Sequence, residues 1–192
     1  MNKKTIRKIL GGFKSYVPGG VSLHANTVDD LARYCYTVWL RHLSILYKNG
    51  FTKIPDTVAE LGPGDSIGTG LAGLLSGSKK FYALDVVEHT DIKKNISVFD
   101  ELVTLFANQS ALPDDNEFPR VLPRLTSYNF PSEIFTDNNL ENFLDKSRIQ
   151  SLRNELVDIK KQKNSIKYMC PWNDPKIIES DSVDVVFSQA VL

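Results

Sequence analysis

The chain reads as an α/β protein built on a parallel sheet, and two observations carry that expectation. Residues 56–85, DTVAELGPGDSIGTGLAGLLSGSKKFYALD, run as strand, glycine-rich turn, helix and strand, the order of a βαβ unit. A long amphipathic stretch precedes this unit, and two further β-type stretches, 165–170 and 183–187, follow it after helical patterns rather than after hairpin turns. At 192 residues the length suits one domain, 1–192, with a sizeable core. The 23 basic and 23 acidic side chains cancel, so no global field draws the protein to nucleic acid or to a membrane surface. No stretch is apolar for long enough to span a bilayer.

Taken in order, residues 1–50 divide into a basic, then glycine-rich segment and a long helix. Lys3, Lys4, Arg7 and Lys8 are followed only by Ile9 and Leu10 before Gly11-Gly12, which lacks the apolar core of a signal peptide. Cys35 and Cys170 show no metal-ligand spacing and read as reduced core thiols, so a cytoplasmic protein is expected. Thr27-Val28-Asp29-Asp30 has the spacing of a capping box with Asp in place of Glu. Leu31, Cys35, Val38, Trp39, His42, Leu43 and Leu46 then recur at helical spacing up to Asn49-Gly50.

Thr57–Leu61 has the composition of a buried strand, and Gly62-Pro63-Gly64-Asp65 is a turn. Asp65 or Ser66 is placed to cap a helix through Ile67, Leu71, Leu74 and Leu75, and Gly77 suits its end. Lys80–Leu84 forms the second strand and ends on Asp85. Glycine at 62 and 64 lets a ligand lie against the main chain, and an acid about twenty residues further on can accept hydrogen bonds from both hydroxyls of a ribose. Asp85 is expected to be an exposed strand-end acid with that role. A dinucleotide fingerprint would need a third glycine at position 67, where Ile67 stands; Gly68 falls one place late.

Glu60-Leu61-Gly62-Pro63-Gly64, with Asp85 at the end of the next strand, resembles motif I of the class I S-adenosylmethionine-dependent methyltransferases. The family often has a third glycine where this chain has Ser66. The resemblance implies a Rossmann-like methyltransferase sheet, with 56–90 as the start of the cofactor-binding unit and 165–192 as strands 3 and 4. It also implies S-adenosyl-L-methionine as cofactor, held by Glu60, Gly62, Gly64, Ser66, Asp85 and the adjoining Val86. The third strand runs into Trp172 and Asn173, where the family contacts adenine. Asp181–Phe187 resembles the fourth-strand motif, with Ser188 and Gln189 toward the methionine end. Together with Phe99–Val103 and the closing SQAVL, the glycine turn resembles a methyltransferase-11-like subgroup often encoded beside surface-polysaccharide genes.

Between strands 2 and 3 the chain carries a helical, proline-punctuated insertion, 91–164. It opens on a helix with Ile96, Phe99, Val103 and Phe106 on one face. It passes Pro113, Pro119, Pro123 and Pro131, and closes on helical stretches bearing Leu140, Phe143, Leu144, Ile149, Leu152, Leu156 and Ile159. A cover over the carboxyl ends of the strands is expected of it.

The expected function is methyl transfer to a small-molecule or glycan-type acceptor, with His24, Glu88 and His89 as base candidates on position alone. The alternatives are a nicotinamide-dependent oxidoreductase and a non-catalytic remnant of the cofactor fold. A family sheet has seven strands, and these residues supply four. Strands 5–7 are therefore expected downstream of a truncated reading, with the fragment marginally stable and inactive.

Overall fold

The computed structural model of the chain describes residues 27–161, 164–174 and 176–189. The basic segment with His24, and residues 190–192, lie outside the described residues. Helix α1 (Val28–Lys48) begins as the sequence requires: Thr27 Oγ1 accepts the Asp30 N–H at 3.1 Å, and Asp29 and Asp30 meet the positive end of the helix. Strand β1 (Thr57–Leu61), helix α2 (Gly68–Leu75) and strand β2 (Lys80–Leu84) form the central βαβ unit. Helices α3 (Ile92–Ala107), α4 (Asp137–Phe143) and α5 (Lys146–Val157) follow, then β3 (Ile166–Met169) and β4 (Val185–Phe187).

The four strands make one parallel sheet in the order β3-β2-β1-β4. Such a mixed α/β arrangement is compatible with a Rossmann-like fold. All four strands point their carboxyl ends to the same edge, so the turns after β1 and β2 lie side by side there. Among the described residues, no helix is long and apolar enough to cross a membrane.

Alternation along the strands separates two faces. Val58, Phe81, Ala83, Ile166 and Phe187 point into the main core, which α1, α2, α3 and α5 cover. Trp39 is the hub of this layer. Its ring meets Phe187 at 6.0 Å and its Nε1 donates to Ser76 Oγ at 2.7 Å, so the largest side chain of α1 is buried with its polar atom satisfied. The other face holds a smaller cluster of Ala59, Tyr82 and Leu84 beneath Ile177, Ile178 and Val183 of the β3–β4 connection.

Several expectations need correction. Ile67, not Asp65 or Ser66, takes the cap position of α2; Ser66 Oγ still accepts the N–H of Gly68, the first helical residue, while Asp65 is engaged by Lys94. The buried face of α3 runs through Asn95, Val98, Phe99, Leu102, Leu105 and Phe106, while Ile96 and Val103 only flank it. That face is wide because α3 contacts three helices at once. Strand β4 starts at Val185, and Val183 packs on the opposite face instead of extending it.

The 91–164 segment is not a lid throughout. Asp91–Asn95 abuts the glycine turn, and 120–124 reaches the end of β4, but the closing helices sit low on the core face. The Phe143 ring packs under Gly77, and Arg148 Nη2 donates to Leu74 O at 2.8 Å and Ser78 O at 3.1 Å, capping the end of α2. These helices are held there by the orphan carbonyls they satisfy.

Candidate functional site

The turn leaving β1 places Gly62 at φ +69° and Gly64 at φ +72°. Both values are left-handed and favour glycine. A Cβ built on Gly64 would meet nothing within 4 Å, so the backbone there is open on its outer side. Gly62 N–H donates to Leu84 O at 2.8 Å, which fastens the start of the turn to the end of β2.

Asp85 closes the arrangement, and it is 5% exposed rather than the exposed acid expected of a strand end. The reason is local. Its Oδ2 accepts the Gly64 N–H at 3.1 Å and its Oδ1 the Val86 N–H at 2.8 Å, so the carboxylate is drawn under the turn. Each oxygen keeps a second lone pair, which leaves acceptor capacity for a diol. Trp172 N–H donates to Asp85 O at 3.1 Å, so the residue after β3 is brought to the same place. The exposed side chains of Val86 and Trp172 give this side of the turn an apolar rim, and Asn173 is also exposed.

Glu60 lies on the core side of β1, buried beneath the turn. Its Oε2 has no hydrogen-bond partner among the described residues. Burial pushes its carboxyl up to about 8, against the Gly70 N–H, which favours the ionised form, and with the Asp85 charge adding to the rise. Cys35, fully buried beside it, is pushed up to about 12 for the same first reason. An acid held un-ionised at neutral pH with a spare oxygen is unusual in a core.

Ser66 turns inward. It donates to Asn95 Oδ1 at 3.0 Å and accepts the Gly68 N–H at 3.2 Å, while Asn95 Oδ1 also accepts the Ile67 N–H at 3.0 Å and Asn95 Nδ2 donates to Thr90 Oγ1 at 2.8 Å. Asn95, from α3, and Ser66 therefore share the satisfaction of the N–H groups that open α2. The signal of Asn95 in the sequence is a polar side chain on the apolar stripe of an amphipathic helix, which apolar periodicity alone does not pick out.

On the other side of β1, Ser188 Oγ donates to Leu61 O at 3.1 Å, and the register sets Phe187 against Glu60. The Gln189 side chain lies beside Tyr34 and His42 on α1. A cleft of about 810 Å³ opens here, bounded by His42, Ser188 and Gln189 on one side and by Arg120, Leu122 and Arg124 on the other. Burial lowers the His42 pKa, partly opposed by Gln189. A second hollow, about 460 Å³ and lined by 50–56 and Asp184, lies at the amino edge of the sheet, away from the turn.

The structure thus gathers Glu60, Gly62, Gly64, Asp85, Val86 and Trp172 around one turn, with Ser188 and Gln189 one strand away. Glu88 and His89 are carried elsewhere: Glu88 pairs with Lys160 at 3.0 Å, and His89 N–H donates to Tyr168 on β3. They stand on the β2–β3 side of the turn, across from Gln189. No protein-family model, curated protein or solved structure matches the chain.

Proposed function

We propose that the chain binds S-adenosyl-L-methionine at the glycine turn and transfers its methyl group to a small-molecule or glycan-type acceptor. The observation that carries this reading is the closed turn itself: two left-handed glycines over an acid from the next strand, with the orphaned Glu60 carboxyl directly beneath. The residues fit the cofactor. Asp85 retains lone pairs for a ribose diol, Gly64 leaves the backbone open, and Trp172 and Val86 offer apolar surface for a purine. Glu60, un-ionised while alone, would regain its charge beside a cationic group.

When bound, the cofactor supplies an electrophilic methyl on a sulfonium centre. The chain's part is to hold an acceptor in line with that methyl, and much of the rate comes from such positioning. Ser188, fixed to β1, and Gln189, beside α1, border the space where an acceptor would approach.

Calorimetric titration tests the reading. Heat with adenosylmethionine and adenosylhomocysteine but not with NAD is expected. Heat with NAD alone would transfer the assignment to an oxidoreductase, and adenosyl binding without turnover on any acceptor would favour the non-catalytic alternative. Mass spectrometry of ligand co-purifying with the unheated protein is an independent check.

A further inference from the structure

We propose that the cleft between α1, the 120–124 loop and the end of β4 is an anion subsite, and that the methyl acceptor carries a carboxylate or phosphate group held there by Arg120 and Arg124. The acceptor's role rests on the methyl-transfer reading above; the anion site does not.

Charge is the first argument. Among the described residues, no acidic side chain lines the cleft. Arg120 is exposed and makes no ion pair among the described residues. Arg124 makes only a long ion pair, Nε to Asp115 Oδ2 at 3.7 Å. Asp115 Oδ1 meanwhile accepts from Arg41 Nη1 at 2.9 Å and from the Tyr128 hydroxyl at 2.8 Å, so Arg124 shares that carboxylate with a second cation. The cleft is thus bordered by one guanidinium without an ion pair among the described residues and one that shares its carboxylate with Arg41, and their planar forks match carboxylate and phosphate oxygens.

Preorganisation is the second. Arg41 is fully buried on α1, donates to Val121 O at 2.8 Å and Pro113 O at 3.0 Å, and lies 4.8 Å from the Tyr128 ring centre. Arg33 adds a two-pronged pair to Glu117 nearer the start of α1. The loop carrying Arg120 and Arg124 is thus tied from within to a core helix, so ordering it costs little on binding.

The cleft also holds a polar atom that no protein group satisfies. His42 Nε2 is buried at its edge with no hydrogen-bond partner among the described residues. An anion or a ligand hydroxyl placed there would complete it.

Location is the last argument. Ser188 follows the residue paired with Glu60, so the cleft begins one strand spacing, about 4.8 Å, from the end of β1. A ligand anchored by its charge between the arginines would extend the rest of its body toward the glycine turn.

The test titrates inorganic phosphate and acetate separately into the full chain and follows the imidazole proton signals of His42 by NMR, assigned with His42→Gln. Either anion, or both, is expected to shift those signals in the wild type. Arg120→Ala/Arg124→Ala is expected to weaken the effect by about tenfold or more, with an unchanged circular dichroism spectrum, and Arg120→Lys/Arg124→Lys to fall between. Phosphate alone active points to a phosphate-bearing acceptor, acetate alone to a carboxylate. No shift with either anion, or equal shifts in the double Ala variant, overturns the subsite. Adenosylhomocysteine calorimetry on the same proteins separates the two ideas. Anion binding without adenosyl binding leaves the subsite standing and rejects the proposed function, and the reverse rejects the subsite alone.

Discussion

Gly64 donates its backbone N–H to Asp85 Oδ2 at 3.1 Å, so the turn after the first strand is closed by the acid that ends the second. One carboxylate is thereby asked to shape the loop and, in the proposed function, to bind the ribose held by that loop. Stability and affinity are coupled at a single side chain.

Asp85→Ala should therefore lower both. It leaves the Gly64 and Val86 N–H groups without their acceptor, at about 1–3 kcal/mol for each that stays buried. It also removes charge-assisted bonds to the diol, for a loss of roughly ten- to a thousandfold in adenosyl affinity. Urea unfolding and calorimetry on one preparation read the two effects. Affinity unchanged in a folded variant would mean that another residue holds the ribose.

Glu60 should make stability fall as pH rises. Its folded-state value of about 8 lies above the ordinary 4.5, so its contribution is full below pH 4.5 and is lost as pH climbs through 8. The slope from this one group approaches about 1.4 kcal/mol per pH unit at most. Glu60→Gln keeps the shape without the titration and should flatten that part of the profile. A wild-type slope that survives in the Gln variant would place its origin elsewhere.

At Gly70 a built Cβ lies 1.9 Å from the Phe81 ring, which is itself fully buried. Gly70→Ala is expected to cost about 1–3 kcal/mol by overpacking, although alanine favours a helix. Adding Phe81→Leu should return part of that loss in thermal denaturation. A single variant as stable as the wild type would show that the helix can shift away from β2 freely.

Arg41→Met should loosen the 113–128 loop selectively. Removing the guanidinium orphans the Val121 carbonyl, at about 1–3 kcal/mol if it stays buried, takes one of two donors from Pro113 O, and leaves Asp115 without its closest cation. Hydrogen exchange should speed up across that loop while β1 and β2 stay protected. Uniform acceleration over the whole chain would instead mean that Arg41 supports the entire core.

Local chemistry made the central unit legible from sequence. The Thr27 cap, the strand at 57–61, the left-handed glycines and the acid at 85 all announce themselves within a few residues, and the structure places each within a residue or two. What stayed hidden depends on partners distant in the chain. Asn95 reads as a helix residue until Ser66 and Ile67 come within reach of it, and Arg41 reads as a surface cation until the proline-rich loop folds over it. Asp85 looks like an exposed strand end because the two N–H groups that bury it carry no side-chain signal. The site candidates Ser188 and Gln189 could be named from their order after the fourth strand, whereas Tyr34, His42, Arg120 and Arg124 could not, since only the packing of α1 beside β4 brings them together.

The pairing of β4 with β1 also bears on how the chain folds. Thr57 N–H donates to Asp184 Oδ2 at 2.8 Å across 127 positions of sequence, so a central strand waits for its second neighbour until a further 127 residues have been made. At ribosomal speeds that interval is about 6 to 25 seconds. During it β1 presents a bare row of amides and carbonyls to whatever is near, and closing so large a loop makes β4 slow to arrive. Nascent chains of this protein are thus expected to be chaperone clients for as long as that edge stays open.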